Sequence, residues 1–263
     1  MPIRLRSAES SPVMTSTATS KKLYPFLAAA FWLLLWETAA RMIGKELILP
    51  GPFRVLQAFL ALLPTAAYWQ SAGATMLRIL FGYLLGIVLG ILFSILTSVS
   101  QLLDALLSPL IRIIRATPVA SFIILAMLWM GKERVPTLLS TLMVVPVVWG
   151  NLSEGVKALD PDLLEMARAF RFSRMKTFGS IIVPSLRPAL RSAALTSIGL
   201  AWKSGIAAEV LAQPSKAIGS QLYYAKIYLE TPELFAWTLS VIFFSILIEK
   251  LVRTFLKRQE GKA

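Results

Sequence analysis

Long apolar runs recur along the chain and are separated by shorter polar segments. Six of these runs approach the roughly 20 residues that an α-helix needs to cross the hydrocarbon core of a bilayer. They cover residues 23–43, 76–99, 104–131, 135–152, 184–209 and 234–255. The pattern predicts an all-α, polytopic membrane protein with about six transmembrane helices in one domain from 23 to 255. It excludes a soluble globular enzyme.

The third run is the least regular of the six. Pro109 and Pro118 interrupt it, and Arg112 and Arg115 lie on its first half. Because proline lacks an N–H and clashes with the preceding turn, we expect this run to split. The expected products are an interfacial piece and a spanning piece near 118–131.

Two shorter segments between the runs have helical spacing. Residues 52–63 follow a Leu-Pro-Gly-Pro turn, and residues 217–229 carry Tyr223, Tyr224 and Tyr228. Tyrosine suits the headgroup layer of a membrane. Both segments are therefore predicted to be short helices at the membrane interface.

Lysine and arginine residues concentrate in three places. These are the N-terminal tail, the segment between the fourth and fifth runs, and the C-terminal end. Positive residues mark the cytoplasmic side, so six crossings with both termini in the cytoplasm fit this distribution. We expect residues 1–22 to be a disordered cytoplasmic tail, with no apolar core of a signal peptide, and residues 256–263 to be a second cytoplasmic tail.

Composition supports the membrane interpretation and limits the chemistry. Hydrophobic residues make up 56% of the 263 residues and charged residues only 16%, against about 25% charged in ordinary soluble domains. The net charge of +13 is explained by basic residues that flank helices, so nucleic acid is not an expected partner. The chain has no cysteine and no histidine. We therefore expect no catalytic residue and no metal site.

Several ionisable residues fall at or near membrane depth. They are Glu37, Asp104, Lys203 and Glu209, with Glu249 near a helix end. Charge is costly in lipid, so such side chains usually face protein or water. Lys203 and Glu209 are six positions apart, on roughly opposite helix faces, so pairing within the helix is not expected. Each could line a translocation path or pair with another helix; for Lys203 pairing is favoured, and Glu209 could instead lie at the external interface.

Three glycines in the second run are spaced four residues apart, at Gly82, Gly86 and Gly90. This spacing places them on one helix face, where they permit close helix–helix approach in a bundle or a dimer. The alternative is that glycine is simply common in membrane helices.

The segment between the fourth and fifth runs predicts two short cytoplasmic helices at about 160–181. Asp160 and Pro161 form a helix-start signature, and Asp162 and Glu165 fall in the first turn, where carboxylates suit the helix dipole. This helix should end near Arg171 or Phe172. Its apolar positions are expected to share one face: Leu163, Leu164, Ala167 and Phe170.

A second short helix is predicted after the first. Ser173 can cap it, and Phe178 and Ile181 lie along it before Pro184 opens the fifth run. A pair of amphipathic helices could dock on a partner protein or on lipid, and the pattern alone does not separate these alternatives.

This segment resembles the cytoplasmic EAA loop of permease subunits of bacterial ABC importers. The loop's pattern is E-A-A, three residues, G, nine residues, I, one residue, L-P, and it fits here without a gap. Four residues match the pattern: Glu165, Ala167, Ile181 and Pro184. Met166 replaces the second-position alanine and Val183 replaces leucine, whereas Arg171 stands where the pattern has glycine. Glycine there would permit a left-handed turn at the helix end.

The resemblance extends over roughly residues 25 to 255. The segments 49–56, 115–120, 129–131, 200–202 and 207–209 are similar to permeases of the nitrate/sulfonate/taurine type. A long series of motifs in the right order is a stronger signal than any one of them.

The resemblance implies a MetI-like ABC importer permease fold in the bacterial cytoplasmic membrane, surrounded by lipid. It implies a second permease subunit, most simply in a homodimer, two copies of an ATPase subunit, and an external substrate-binding protein. The residues implied to couple to the ATPase are Asp162, Glu165, Ala167, Arg168, Phe170, Arg171, Ile181 and Pro184. The implied substrate is a small anion such as a sulfonate, nitrate or taurine, or a vitamin precursor.

No G-x-x-x-x-G-K-[ST] sequence occurs in the chain. We therefore expect no cofactor in this chain and ATP bound by the partner subunit, which makes the chain a transport subunit and not an enzyme. The main alternative is an ion-coupled secondary transporter without an ATPase partner. A membrane-embedded enzyme and a purely structural subunit fit the sequence less well.

Overall fold

A computed structural model describes residues 18–260, with side chains from 24 to 258. This part of the chain is helical, without β-strands. Its helices are α1 (Ala18–Ile43), α2 (Pro52–Leu62), α3 (Ala66–Val99), α4 (Gln101–Ala116), α5 (Val119–Trp129), α6 (Val135–Lys157), α7 (Pro161–Ala169), α8 (Arg174–Thr177), α9 (Val183–Ala212), α10 (Ile218–Ile227) and α11 (Thr231–Glu260). A π-helical turn, Phe178–Ile182, joins α8 to α9.

The predicted tails lie partly outside the described residues, which exclude 1–17 and 261–263. α1 begins at Ala18, inside the segment predicted as a tail, and α11 continues to Glu260. The two short helices predicted at 52–63 and 217–229 are present as α2 and α10.

Four helices in the described chain are long and apolar enough to cross a membrane: α1, α3, α6 and α11. α9 has 30 residues, which is ample length, but it falls short of the hydropathy of those four. Its lower hydropathy is explained by residues such as Lys203 and Glu209. The bent pair α4–α5 is a further candidate crossing. A total of six crossings therefore stays a prediction.

The third apolar run is broken once, between α4 and α5, where the chain bends by 109°. The break lies at Thr117 and Pro118, whereas α4 continues through Pro109, so the predicted interruption at Pro109 is wrong. α5 has 11 residues and is about 16 Å long, roughly half the hydrocarbon thickness. The prediction of a spanning piece near 118–131 is therefore wrong, because this helix is too short to cross alone.

The centre of the bundle is α6, which packs between α3 and α9. Hydroxyl groups of α6 tie it to both neighbours. Thr141 Oγ1 donates to the Gly82 carbonyl of α3 (3.0 Å), and Ser140 Oγ donates to the Ala201 carbonyl of α9 (3.1 Å). Such interhelical hydrogen bonds satisfy polar groups where water is absent.

The three spaced glycines lie at the contact between α3 and α6. A Cβ atom at Gly82 would lie 2.4 Å from the Thr137 carbonyl oxygen, and at Gly86 it would lie 2.6 Å from the Val144 Cβ. At Gly90 it would lie 2.6 Å from the Val148 Cβ. No side chain fits at these distances, so the glycines set the spacing of the two helices within one chain.

Candidate functional site

The predicted coupling segment begins with a capped helix. The Asp160 side chain accepts a hydrogen bond from the Asp162 backbone N–H (2.9 Å), and Pro161 occupies the first helical position. Proline suits that position because its fixed φ is helical and its missing N–H would have no partner there. Asp162 and Glu165 are both exposed on the resulting α7.

The end of α7 turns through a left-handed residue, Arg171, with a φ of 54°. The Phe172 N–H donates to the Ala167 carbonyl (2.9 Å), and the Arg171 N–H donates to the Arg168 carbonyl (2.9 Å). This pair of bonds is the Schellman arrangement that usually has glycine at the left-handed position. The turn typical of the family's glycine is therefore formed with arginine, which takes the less favourable conformation.

The apolar residues of α7 differ in how deeply they are buried. Ala167 is buried at 2% exposure and Leu164 is half-buried, whereas Leu163 (38%) and Phe170 (71%) are exposed. At about 100° per residue the four predicted positions fall on one side of α7, and Leu163 and Phe170 also align with Met166 (42%) along its exposed edge, at i, i+3 and i+7. We call this exposed apolar row, Leu163, Met166 and Phe170, the α7 stripe.

The second half of the segment continues without interruption into α9. Ser173 caps α8 by accepting from the Lys176 N–H (3.3 Å), but α8 ends at Thr177, and Phe178 and Ile181 lie in the π-helical turn. Ile181 is buried, and Pro184 occupies the first turn of α9. Residues 174–212 are therefore one helical rod, with the coupling segment at one end.

A cleft of about 360 Å³ separates the start of this rod from its neighbours. It is lined by apolar side chains of α3, α6 and the rod, among them Ile95, Val156, Phe178 and Leu186. The base of the rod is therefore less tightly packed than its middle, where Ala193, Ser197 and Ala201 are fully buried.

Basic residues lie between and after the residues of the α7 stripe along the chain. Arg168, Arg171, Arg174 and Lys176 are all exposed, and the Lys176 ammonium lies 4.2 Å from the centroid of the Phe172 ring. With the exposed carboxylates of Asp162 and Glu165, the surface thus combines an apolar row with charged residues of both signs, which is the arrangement that helix-in-groove docking uses.

The opposite end of α9 carries Glu209, which is fully buried. Its Oε2 accepts from Thr75 Oγ1 (2.9 Å) and from the Gly219 N–H (3.1 Å), and its Oε1 lies 3.6 Å from an Arg78 nitrogen. Glu209 therefore occupies a closed polar cluster between α3, α9 and α10. It neither lines an open path nor lies exposed at an external interface in this structure, because these contacts and its burial enclose it.

Arg78 connects this cluster to two loops. It donates to Glu133 Oε2 (2.6 Å) and to the Ser215 carbonyl (2.8 Å), and Glu133 also accepts from the Ser215 N–H (2.7 Å). Partial burial raises the pKa of Glu133, but the hydrogen bonds from Ser215 and the nearby Arg78 outweigh it and lower that pKa below its ordinary value. The α5–α6 turn and the α9–α10 loop are thus joined by ionised groups.

Sequence reasoning did not single out Arg78 or Glu133. Arg78 lies in the second apolar run. It could have been found by the criterion that singled out Glu209, which is a charged residue at membrane depth. Its partners come from residues 55 to 138 positions away, so only the folded chain brings them together.

Lys203 is exposed on α9, six residues before Glu209. Among the described residues it has no salt bridge and no hydrogen bond from its ammonium. The favoured interpretation, a pair with a carboxylate on another helix, is not found among the side chains from 24 to 258.

The other ionisable residues noted in the sequence are engaged within their own helices. Arg41 donates to Glu37, Ser108 donates to Asp104, and Arg253 donates to Glu249, each at i, i+4 spacing. In the part of the chain that the structure describes, no three Asp or Glu residues are grouped as a metal site would need.

Comparison with known proteins gives the chain's family. The profile of the family described as "Binding-protein-dependent transport system inner membrane component" matches residues 82–262. An aliphatic sulfonates transport permease protein of Escherichia coli is 34% identical over 185 residues, 70% of each chain. Its counterpart in Bacillus subtilis is 25% identical over 99% of this chain and 96% of its own length. The taurine transport system permease protein of Escherichia coli is 24% identical over 85% of this chain and 83% of its own.

Solved structures show the same fold at low identity. A chain of a bacterial ABC transporter involved in the import of alginate has a TM-score of 0.60 at 14% identity, over 91% of this chain and 97% of that one. A chain of an amino acid ABC transporter has a TM-score of 0.58 at 16% identity, over 72% and 90%. The predicted MetI-like permease fold is confirmed. The chain belongs to the family of binding-protein-dependent transport system inner membrane components.

Proposed function

We propose that this chain is the permease subunit of an ATP-driven importer, and that α7 receives the movement of a separate ATPase subunit. The observation that carries this proposal is the α7 stripe, an apolar row on a capped helix that leads directly into the rod of residues 174–212. A short rigid helix transmits displacement better than a flexible loop. The cleft beside Phe178 gives the base of the rod room to move.

The partners follow from the family. Two copies of this chain would enclose a translocation path, two ATPase subunits would bind their cytoplasmic faces, and an external binding protein would deliver the substrate. One of the related structures contains a periplasmic protein bound to its ligand, in the alginate system. The assembly would lie in the bacterial cytoplasmic membrane, and the ATP would be bound by the ATPase subunits.

For the substrate we propose a small organic or inorganic anion of the sulfonate, taurine or nitrate kind, with a vitamin precursor as the alternative. The support comes from relatives whose names specify aliphatic sulfonates and taurine. Identity of 24–34% to these relatives fits a shared substrate class better than a shared substrate.

Co-purification tests the proposal directly. The tagged chain is extracted from its native membrane in mild detergent, and its partners are identified and quantified by mass spectrometry. We expect an ATPase with a G-x-x-x-x-G-K-[ST] sequence in a near one-to-one ratio. A chain that is recovered alone and transports in vesicles without ATP would establish the ion-coupled secondary transporter instead.

A matched pair of variants locates the contact. Met166→Asp with Phe170→Asp places two carboxylates on the α7 stripe and should remove the ATPase from the purified complex, while leaving the amount of chain in the membrane unchanged. Ala167 is kept, because it is buried and a charge there would disturb α7 itself. The control is Tyr228→Asp, at an equally exposed aromatic residue after α10, which should retain the ATPase.

A further inference from the structure

The exposed positions of α9 form one row along the helix. Between residues 191 and 212 they are spaced three or four apart, as a single helix face requires. We call this row the α9 stripe: Ser192, Thr196, Leu200, Lys203, Ala207 and Leu211. The neighbouring faces are buried against α3, α6 and α11. The α9 stripe is therefore the face of this helix segment that looks away from its own chain.

The composition of the α9 stripe does not suit lipid. The exposed positions of α3 over the same depth are all large and apolar: Leu77, Phe81, Leu84, Leu85, Val88, Leu92 and Ile95. The α9 stripe instead combines two hydroxyls, an alanine and a lysine with two leucines. A helix face with hydroxyls and a charge faces protein or a water-filled cavity.

With α9 crossing the membrane, as the proposed function requires, Lys203 lies too deep to reach the membrane surface. It is six residues, or about 9 Å along the helix, below Glu209, and about 13 Å below the end of α9 at Ala212. A lysine side chain can extend its charge only about one helical turn toward the interface. Because no carboxylate of the described chain meets the ammonium, it has to be solvated from outside this chain, by water, by an external anion or by a second copy.

We propose that the α9 stripe lines a water-filled path and that Lys203 binds the negatively charged group of the transported solute. This inference rests on the proposed function, in which α9 crosses the membrane and two chains enclose the path. A single fixed cation on a face without carboxylates attracts anions and repels cations along that path. It would make Lys203 a residue that selects for the charge of the solute.

Thiol labelling tests the path without knowledge of the substrate. Since the chain has no cysteine, each variant carries one thiol only. Leu200→Cys, Lys203→Cys and Ala207→Cys are reacted in membranes with methanethiosulfonate reagents, with and without ATP and vanadate. The matched control is Phe81→Cys, an exposed residue at the depth of the Ile79–Gly205 contact.

We expect the three α9 thiols to react at least about tenfold faster than the control in one nucleotide state, since thiolates form in water and not in lipid. If they react no faster than the control thiol at position 81 in either state, the α9 stripe faces lipid or is sealed against a second copy, and the proposal is overturned.

Reagent charge tests the role of Lys203. At Leu200→Cys and Ala207→Cys, one turn from the ammonium, an anionic reagent should react several-fold faster, relative to a cationic one, when Lys203 is present. Adding Lys203→Gln should abolish that preference and Lys203→Arg should restore it. An unchanged ratio with Lys203→Gln would overturn the anion assignment. If no ATPase co-purifies with the chain, the proposed function fails. An unchanged labelling ratio overturns only the role of Lys203, so the two failures are distinguishable.

Discussion

At the scale of single residues, Arg171 shows what the sequence can and cannot predict. The sequence identified the position as the end of α7 and as a departure from the family's glycine. It left open whether arginine would reshape the turn. In the structure the left-handed turn after α7 is formed, with Arg171 at a φ of 54°, because two backbone hydrogen bonds there close the helix end. Those bonds outweigh a left-handed arginine's cost of about 1–2 kcal/mol.

Replacing Arg171 with glycine should therefore stabilise the protein. Glycine adopts the left-handed conformation without the steric penalty of a Cβ, so we expect Arg171→Gly to add about 1 kcal/mol to the free energy of unfolding. Thermal unfolding of the purified chain in detergent would measure it. Arg174→Gly is the control, because Arg174 begins α8 in a helical conformation, and it should not stabilise. A lower melting temperature for Arg171→Gly than for Arg174→Gly would contradict this account.

At the scale of helices, features set by neighbouring residues could be predicted from the sequence. Features set by tertiary packing could not. The capping residues Asp160 and Ser173 were identified from sequence because a cap depends on neighbours two or three positions away. Three other features depend on packing between distant segments: the unbroken helix at Pro109, the π-helical turn and the Arg78–Glu133 pair. The lengths of α3 and α11 were underestimated, since apolar runs mark the membrane core and not the helical ends beyond it.

The contact between α3 and α6 gives a prediction at this scale. Gly86→Ala places a methyl group 2.6 Å from the Val144 Cβ, so the helices must separate, and we expect a loss of about 1–3 kcal/mol in stability. Gly73 lies on the same helix with nothing within 4 Å of an added Cβ. Gly73→Ala should be neutral or slightly stabilising, by helix propensity. Equal unfolding temperatures for the two variants would show that the glycines do not set the helix spacing.

At the scale of the whole molecule, one helical rod connects the predicted coupling segment to the buried cluster around Glu209. Residues 174–212 extend from the coupling segment to the buried cluster of Glu209 and Arg78, about 50–55 Å apart along the helix. The Arg78 cluster also holds the α5–α6 turn and the α9–α10 loop. A displacement at α7 would therefore be transmitted to the opposite face of the bundle through a continuous backbone. The sequence indicated the coupling segment and singled out Glu209, but it did not predict the buried cluster around Glu209 or the unbroken rod that reaches it.

Docking of α7 on an ATPase subunit is tested by cross-linking from α7. Phe170→Cys introduces a single thiol into a chain that has none, and a photoreactive maleimide on it can capture whatever lies within reach in native membranes. Tyr228→Cys, beyond the other end of the bundle, is the control. We expect a product at position 170, identified by mass spectrometry as an ATPase subunit, and no such product at position 228. Lipid adducts alone at position 170, in membranes that contain the ATPase, would contradict it.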